Sequence, residues 1–148
     1  MKHKVFAWIL FIDRLNTRDM LLRRKCPIND VKCVVCQQQR ETRDHLFFAC
    51  SFSSICWSVL GVTWDLSLDL SERLAVANKN WGRPFYLEIA ILGAWNIWKL
   101  RNRKHFDGVD ICLQSWITQL KEDLIMLSCR VKTEHKVQLM VFADSIHA

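Results

Sequence analysis

Glycine and proline are scarce in this chain of 148 residues, four and two respectively. An all-β sandwich or barrel needs turn residues about every 8–12 positions, so that class is excluded and a mainly α fold is expected. No apolar run approaches the ~20 residues a membrane-spanning helix requires. Residues 5–12 stop at Asp13, and residues 85–98 are interrupted by Glu88 and Asn96. The basic opening and the short apolar run after it begin like a secretory signal, but no small-residue cleavage site follows. Also missing are a phosphate-binding loop, a nucleophile elbow and an H-E-x-x-H helix. The expectation is an intracellular chain, nuclear or cytoplasmic, with no membrane partner.

Cysteine, by contrast, is plentiful. There are seven, an odd number that argues against a secreted disulfide framework. Four residues form the pattern C-x2-C-x8-H-x4-C: Cys33, Cys36, His45 and Cys50. Three thiolates and an imidazole suit a closed tetrahedral site for Zn2+, with no position left for a reacting water. The alternative is a chance grouping in a cysteine-rich chain. The other four, Cys26, Cys56, Cys112 and Cys129, sit among apolar neighbours, where most are expected to be inert core residues, and Cys26 and Cys56 are also near enough in sequence to substitute as ligands.

Apolar spacing and capping residues divide the chain into helices. The first is expected over residues 5–15. Thr17 is placed to cap a second, short helix with Asp19 in its first turn and Leu21 and Leu22 facing inward. A knuckle follows over about residues 29–43, then a third helix from 42–45 to Gly61. His45 and Cys50 are five apart, about 140° around an ideal α-helix. Either His45 precedes the helix or its first turn is distorted. Further helices are expected over 71–78, from Pro84 to His105, and over 111–130, where Leu113, Ile117, Leu120, Leu124 and Leu127 form one stripe for a neighbouring helix or a partner chain. The last residues show no clear period. The whole reads as a small zinc knuckle embedded between helices in residues 1–61, followed by a helical C-terminal region, 62–148.

The net charge is +6, and it is uneven. Residues 1–60 carry ten Lys/Arg against five Asp/Glu, and residues 61–148 carry eleven against ten. The basic excess therefore lies with the cysteine motif, where a polyanion contact is expected.

Several motifs in order resemble the zinc-binding domain that follows the polymerase in plant LINE-type (non-LTR) retrotransposon reverse transcriptases. They are Phe6 and Trp8; Arg14, Leu15, Thr17, Leu21 and Arg24; the four Cys/His residues; Glu41 ahead of His45; and Trp57, seven residues after Cys50. A second patch, Trp95, Trp98, Lys99, Arg101, Asn102 and Phe106, is similar to a W-x-x-W-K-x-R-N-x-x-x-F stretch that follows this domain. The resemblance covers residues 2–60 and 95–106. It implies the tail of an RNA-directed DNA polymerase with the polymerase absent. No Y-x-D-D occurs, so the carboxylates needed for two-metal nucleotidyl transfer are missing and no enzyme activity is expected.

Three roles follow. The first is a nucleic-acid-binding accessory module with a structural zinc. Its phosphate contacts would come from Arg14, Arg18, Arg23, Arg24, Lys25, Lys32, Arg40 and Arg43, and from Lys99, Arg101, Arg103 and Lys104. The second is a zinc-stabilised helical module that binds protein, either the polymerase or a copy of itself. The third is a retroelement remnant with no function of its own.

Overall fold

The computed structural model describes residues 2–148. Helix α1 (Lys2–Phe11) is apolar on most sides, yet only Phe6 is fully buried. It ends four residues earlier than the apolar run suggests. Asp13 takes a left-handed conformation, φ 56°, one of the few that Asp tolerates and that most side chains avoid. The chain then turns so that Leu15 and Thr17 are buried. Thr17 caps α2 (Arg18–Arg23), its Oγ1 accepting from the Met20 N–H at 3.2 Å. The inward face of α2 carries Met20 and Asp19, while Leu22 is exposed, against expectation. A six-residue helix buries one narrow stripe, and from it the Asp19 carboxylate reaches the half-exposed Arg23 and Arg40.

Between α2 and the next helices the backbone makes one isolated antiparallel bridge, Lys32 to Arg40. A π-helical turn, His45–Ala49, leads into α3 (Ser51–Leu60), which Gly61 closes at φ 73°. Asp69 then caps α4 (Leu70–Trp81), accepting from the Glu72 N–H at 2.9 Å. The long helix α5 (Tyr86–Asp107) starts after Pro84, not on it. Phe85 occupies a left-handed cap, φ 65°, and the Pro84 carbonyl accepts from Trp81 Nε1. Helix α6 (Leu113–Ser128) buries Ile117, Leu120 and Leu124 of the expected stripe, together with Trp116. It packs on α5 and on α7 (Thr133–Ser145), which occupies the segment without a clear sequence period.

A single hydrophobic cluster runs from Phe6 through Phe47 and Trp57 to Ile97, Leu120, Leu139 and Ile146. Helices from both sides of residue 61 share that core. Trp57 lies against Gly93 of α5, and Trp116 Nε1 donates to the Gly93 carbonyl at 3.1 Å. Among the described residues, no helix is long and apolar enough to cross a membrane.

Candidate metal centre

The knuckle begins with the bridge. Cys33 N–H donates to Gln39 O, Glu41 N–H to Val31 O, and Gln37 N–H back to Cys33 O. This turn requires Gln37 at φ 58°. It folds Cys36 back beside Cys33 and delivers two sulfurs from four residues of chain.

The other two donors come from the π turn. Widening the helix so that Cys50 N–H reaches the His45 carbonyl, at 2.6 Å, brings a residue five positions on back over its start. An α-turn would have set His45 and Cys50 about 140° apart. Distortion of the first turn is therefore the solution the chain adopts. The carbonyls this leaves free find other donors, as buried polar groups must. Ser53 Oγ donates to Leu46 O, and Trp57 Nε1 donates to Phe47 O at 2.6 Å.

The donor atoms of Cys33, Cys36, His45 and Cys50 all lie within 4.8 Å of one another. Zn–S bonds of about 2.3 Å in a tetrahedron set sulfurs roughly 3.8 Å apart, so the cluster needs only a small contraction to close on an ion. His45 turns Nε2 toward the sulfurs, 3.2 Å from Cys36 Sγ. Its Nδ1 is buried with no hydrogen-bond partner among the described residues. Cys33, His45 and Cys50 are buried, and Cys36 is partly exposed.

The electrostatics favour thiolate at Cys50. The Cys50 thiol is pushed down to about 5, first by its hydrogen bond with Cys33 and then by the Phe52 and Ser53 N–H groups at the start of α3. The Cys33 thiol moves up, because it keeps the proton the pair shares and is buried. Four convergent S/N donors with no carboxylate among them, and backbone N–H groups aimed at sulfur, suit a borderline-soft, tetrahedral ion. Cys26 and Cys56 do not join the cluster, and of the four cysteines expected in the core only Cys56 is buried, Cys112 and Cys129 lying exposed near the two ends of α6. Burial holds the Cys56 thiol well above its ordinary value, as expected of a core residue.

One residue ties the centre to the rest of the molecule. Glu41 is fully buried. Its Oε1 accepts from the Arg18 N–H (3.0 Å) and from Arg101 Nη2 (2.6 Å), and its Oε2 from the Val34 N–H (2.8 Å) and Arg101 Nε (3.3 Å). Arg101 was expected at a phosphate. It is instead buried, 2% exposed, with Trp98 over its guanidinium at 5.0 Å, and so is unavailable to a ligand. The signal was present in the spacing: Ala90, Ala94, Ile97 and Arg101 share one face of α5, and the other three are core residues.

The remaining expected cations divide by what they already hold. Arg18 reaches Lys32 O and Asp30, Arg24 holds Asn16 and Arg14 O, and Arg43 donates to Phe11 O at the end of α1. Arg23 and Arg40 converge on Asp19. Lys99 lies by Gln119 and Asp123, and Lys104 reaches Val35 O in the knuckle. Arg14, Lys25, Lys32 and Arg103 are exposed, and their side chains make no ion pair or hydrogen bond among the described residues.

Residues 1–57 match the family described as zinc-binding in reverse transcriptase. That span contains all four donors and ends at Trp57, the residue that satisfies the Phe47 carbonyl. No curated protein and no solved structure matches the chain.

Proposed function

We propose that the chain is a zinc-binding, nucleic-acid-binding accessory module of the kind that follows a LINE-type reverse transcriptase, non-catalytic by itself. The observation that carries this is the convergence of three thiols and one imidazole within the segment that matches the reverse-transcriptase zinc-binding family. All four donors come from protein, so a bound Zn2+ would have no open position and would act structurally. It would pin the Cys33–Cys36 turn to the start of α3. The exposed cations Arg14, Lys25, Lys32 and Arg103 would then contact phosphates of RNA or DNA, giving salt-dependent affinity with little sequence preference.

Native mass spectrometry of the protein and its Cys36→Ser variant tests the metal. One zinc in the parent and none in the variant is expected, and a well-folded parent without metal would overturn the proposal. Binding to RNA and DNA at rising salt tests the second half.

A second reading, association with protein, is supported by the outer face of α1. Val5, Trp8, Phe11 and Ile12 are all exposed there, beside an apolar groove lined by Leu87, Ile91 and Trp64. Self-association that survives high salt, with no shift of nucleic acid, would favour it.

A further inference from the structure

The second motif patch is largely consumed by packing. Trp95 lies edge-on to Phe6, Trp98 against Phe47, and Arg101 on Glu41. Its last residue is different. Phe106 is 73% exposed, the highest value of any large hydrophobic residue among the described residues, and it lies outside the hydrophobic cluster and its fringe. It sits in the last turn of α5 just ahead of the Gly108 cap, whose N–H bonds Lys104 O and Arg103 O, so the ring rides on regular, closed helix.

Its surroundings are polar and cationic. Arg103 is exposed and stands one turn before Phe106 on the same face, about 5–6 Å away between Cβ atoms. The neighbouring Lys104 reaches the knuckle at Val35 O, 3.3 Å away. His105 meets Phe106 edge to face at 4.7 Å and is close enough to Arg101 and Arg18, and to the opposing Glu41, to sense their charges. The carboxylates nearest in sequence are Asp107 and Asp110, and Glu41 is already neutralised by Arg101. Trp8, the other highly exposed aromatic, lies among Val5, Phe11 and Ile12 instead. An exposed apolar ring amid apolar neighbours suits a protein surface. An exposed ring one turn from a free cation, Arg103, suits an unpaired base whose phosphate that cation holds.

We infer that Phe106 is a stacking platform for one unpaired base of a single-stranded nucleic acid, with Arg103 holding the adjacent phosphate. This rests on the nucleic-acid reading proposed above, and it narrows the ligand from any polyanion to a strand with accessible base faces. Stacking is indifferent to the sugar, so RNA and DNA share the chemistry.

The test is fluorescence anisotropy of the zinc-loaded protein with a labelled oligouridine, the matching oligothymidine, and an abasic deoxy strand of equal length. Phe106→Ala should weaken the base-bearing strands roughly 5- to 100-fold and leave the abasic strand unchanged, while Phe106→Tyr should bind as the parent does. Circular dichroism should be the same for all three proteins. If the parent binds in a salt-dependent manner and Phe106→Ala binds equally well, the platform is overturned while the nucleic-acid reading stands. If the parent binds no strand, both fail together. If Phe106→Ala weakens the abasic strand as much as the others, the ring supports the fold and not a base.

Discussion

Glu41 and Arg101, sixty residues apart in sequence, form a bidentate ion pair with both side chains almost wholly out of solvent. The same carboxylate accepts the Val34 N–H inside the knuckle and the Arg18 N–H at the start of α2. Three segments therefore meet on one buried charge. Removing one partner leaves the other buried and unpaired, a change that costs about 3–5 kcal/mol. Glu41→Gln should accordingly destabilise the protein by roughly that amount in chemical denaturation, and it should loosen metal because Val34 belongs to the Cys33–Cys36 turn. Replacing both residues by apolar ones of similar volume should recover part of the loss. An effect below about 1 kcal/mol would mean that water reaches the pair.

That pair also explains what could be read in the sequence and what could not. The four donors, the caps at Thr17 and Gly61 and the helix stop at Gly108 are local signals, each set by a few neighbouring residues. Counting degrees around a helix ruled out a straight α-helix through His45 and Cys50 but left open whether His45 precedes the helix or its first turn is distorted; the structure takes the second course. Arg101 misled because it sits in a basic run, and nothing within that run reveals a partner sixty residues away. The face of α2 and the left-handed Phe85 cap likewise depend on tertiary packing that overrides local preference. Helix α7 has too weak a period to announce itself, and it is fixed by packing on α6, with Leu139 and Ala143 buried in the shared core.

Gly93 should not tolerate alanine. In an open helix that change is favourable by nearly 1 kcal/mol. Here a Cβ would lie 2.8 Å from Cζ3 and 3.0 Å from Cη2 of Trp57. The indole cannot retreat without breaking its hydrogen bond to Phe47 O, which supports the π turn. Overpacking costs typically about 1–3 kcal/mol, so Gly93→Ala should lower stability by roughly 1–2 kcal/mol in denaturant titration. A stabilised variant would show that the α3–α5 contact is looser than described.

Two histidines give a pH dependence with a defined sign. His3 and His105 are each held below the ordinary value of 6.5, mainly because partial loss of solvent around the ring, slight at the exposed His105, disfavours the charged form. The unfolded chain then binds protons before the folded one does. Their contribution is fully present above 6.5 and is lost as pH falls through that value toward the lower folded pKa. Stability should fall with acidification in this window, and a His3→Asn, His105→Asn double variant should flatten that slope. An unchanged slope would assign the effect to other groups.

Cysteine substitutions should separate ligands from packing. Cys33→Ser and Cys50→Ser should lose zinc and unfold at least residues 29–60, since structural zinc contributes on the order of 10 kcal/mol or more to folding. Cys56→Ser should retain one zinc yet lose stability, because it places a hydroxyl in a fully buried apolar site. Cys129 is exposed, so Cys129→Ser should change neither measure beyond about 0.5 kcal/mol. Loss of zinc from the Cys56 variant would bring that thiol into the coordination sphere.

The cations should divide in the same way when phosphate binding is measured against salt. Each phosphate contact on a single strand contributes about −0.7 to the slope of log K against log salt. Arg103 and Lys32 are exposed and hold no carboxylate, so Arg103→Ala and Lys32→Ala should each reduce the slope by about that amount and leave the melting temperature nearly unchanged. Arg101→Ala should do the reverse. It removes no phosphate contact, but it strands Glu41 in the core, so it should lower stability sharply, and any protein that remains folded should keep the parent slope. Arg23→Ala should fall between the two, since its guanidinium shares Asp13 and Asp19 yet remains half exposed. A loss of about 0.7 in the slope on removing Arg101 from folded protein would mean that the buried pair opens to bind nucleic acid. Equal slopes for all four variants would shift the phosphate surface away from the knuckle altogether.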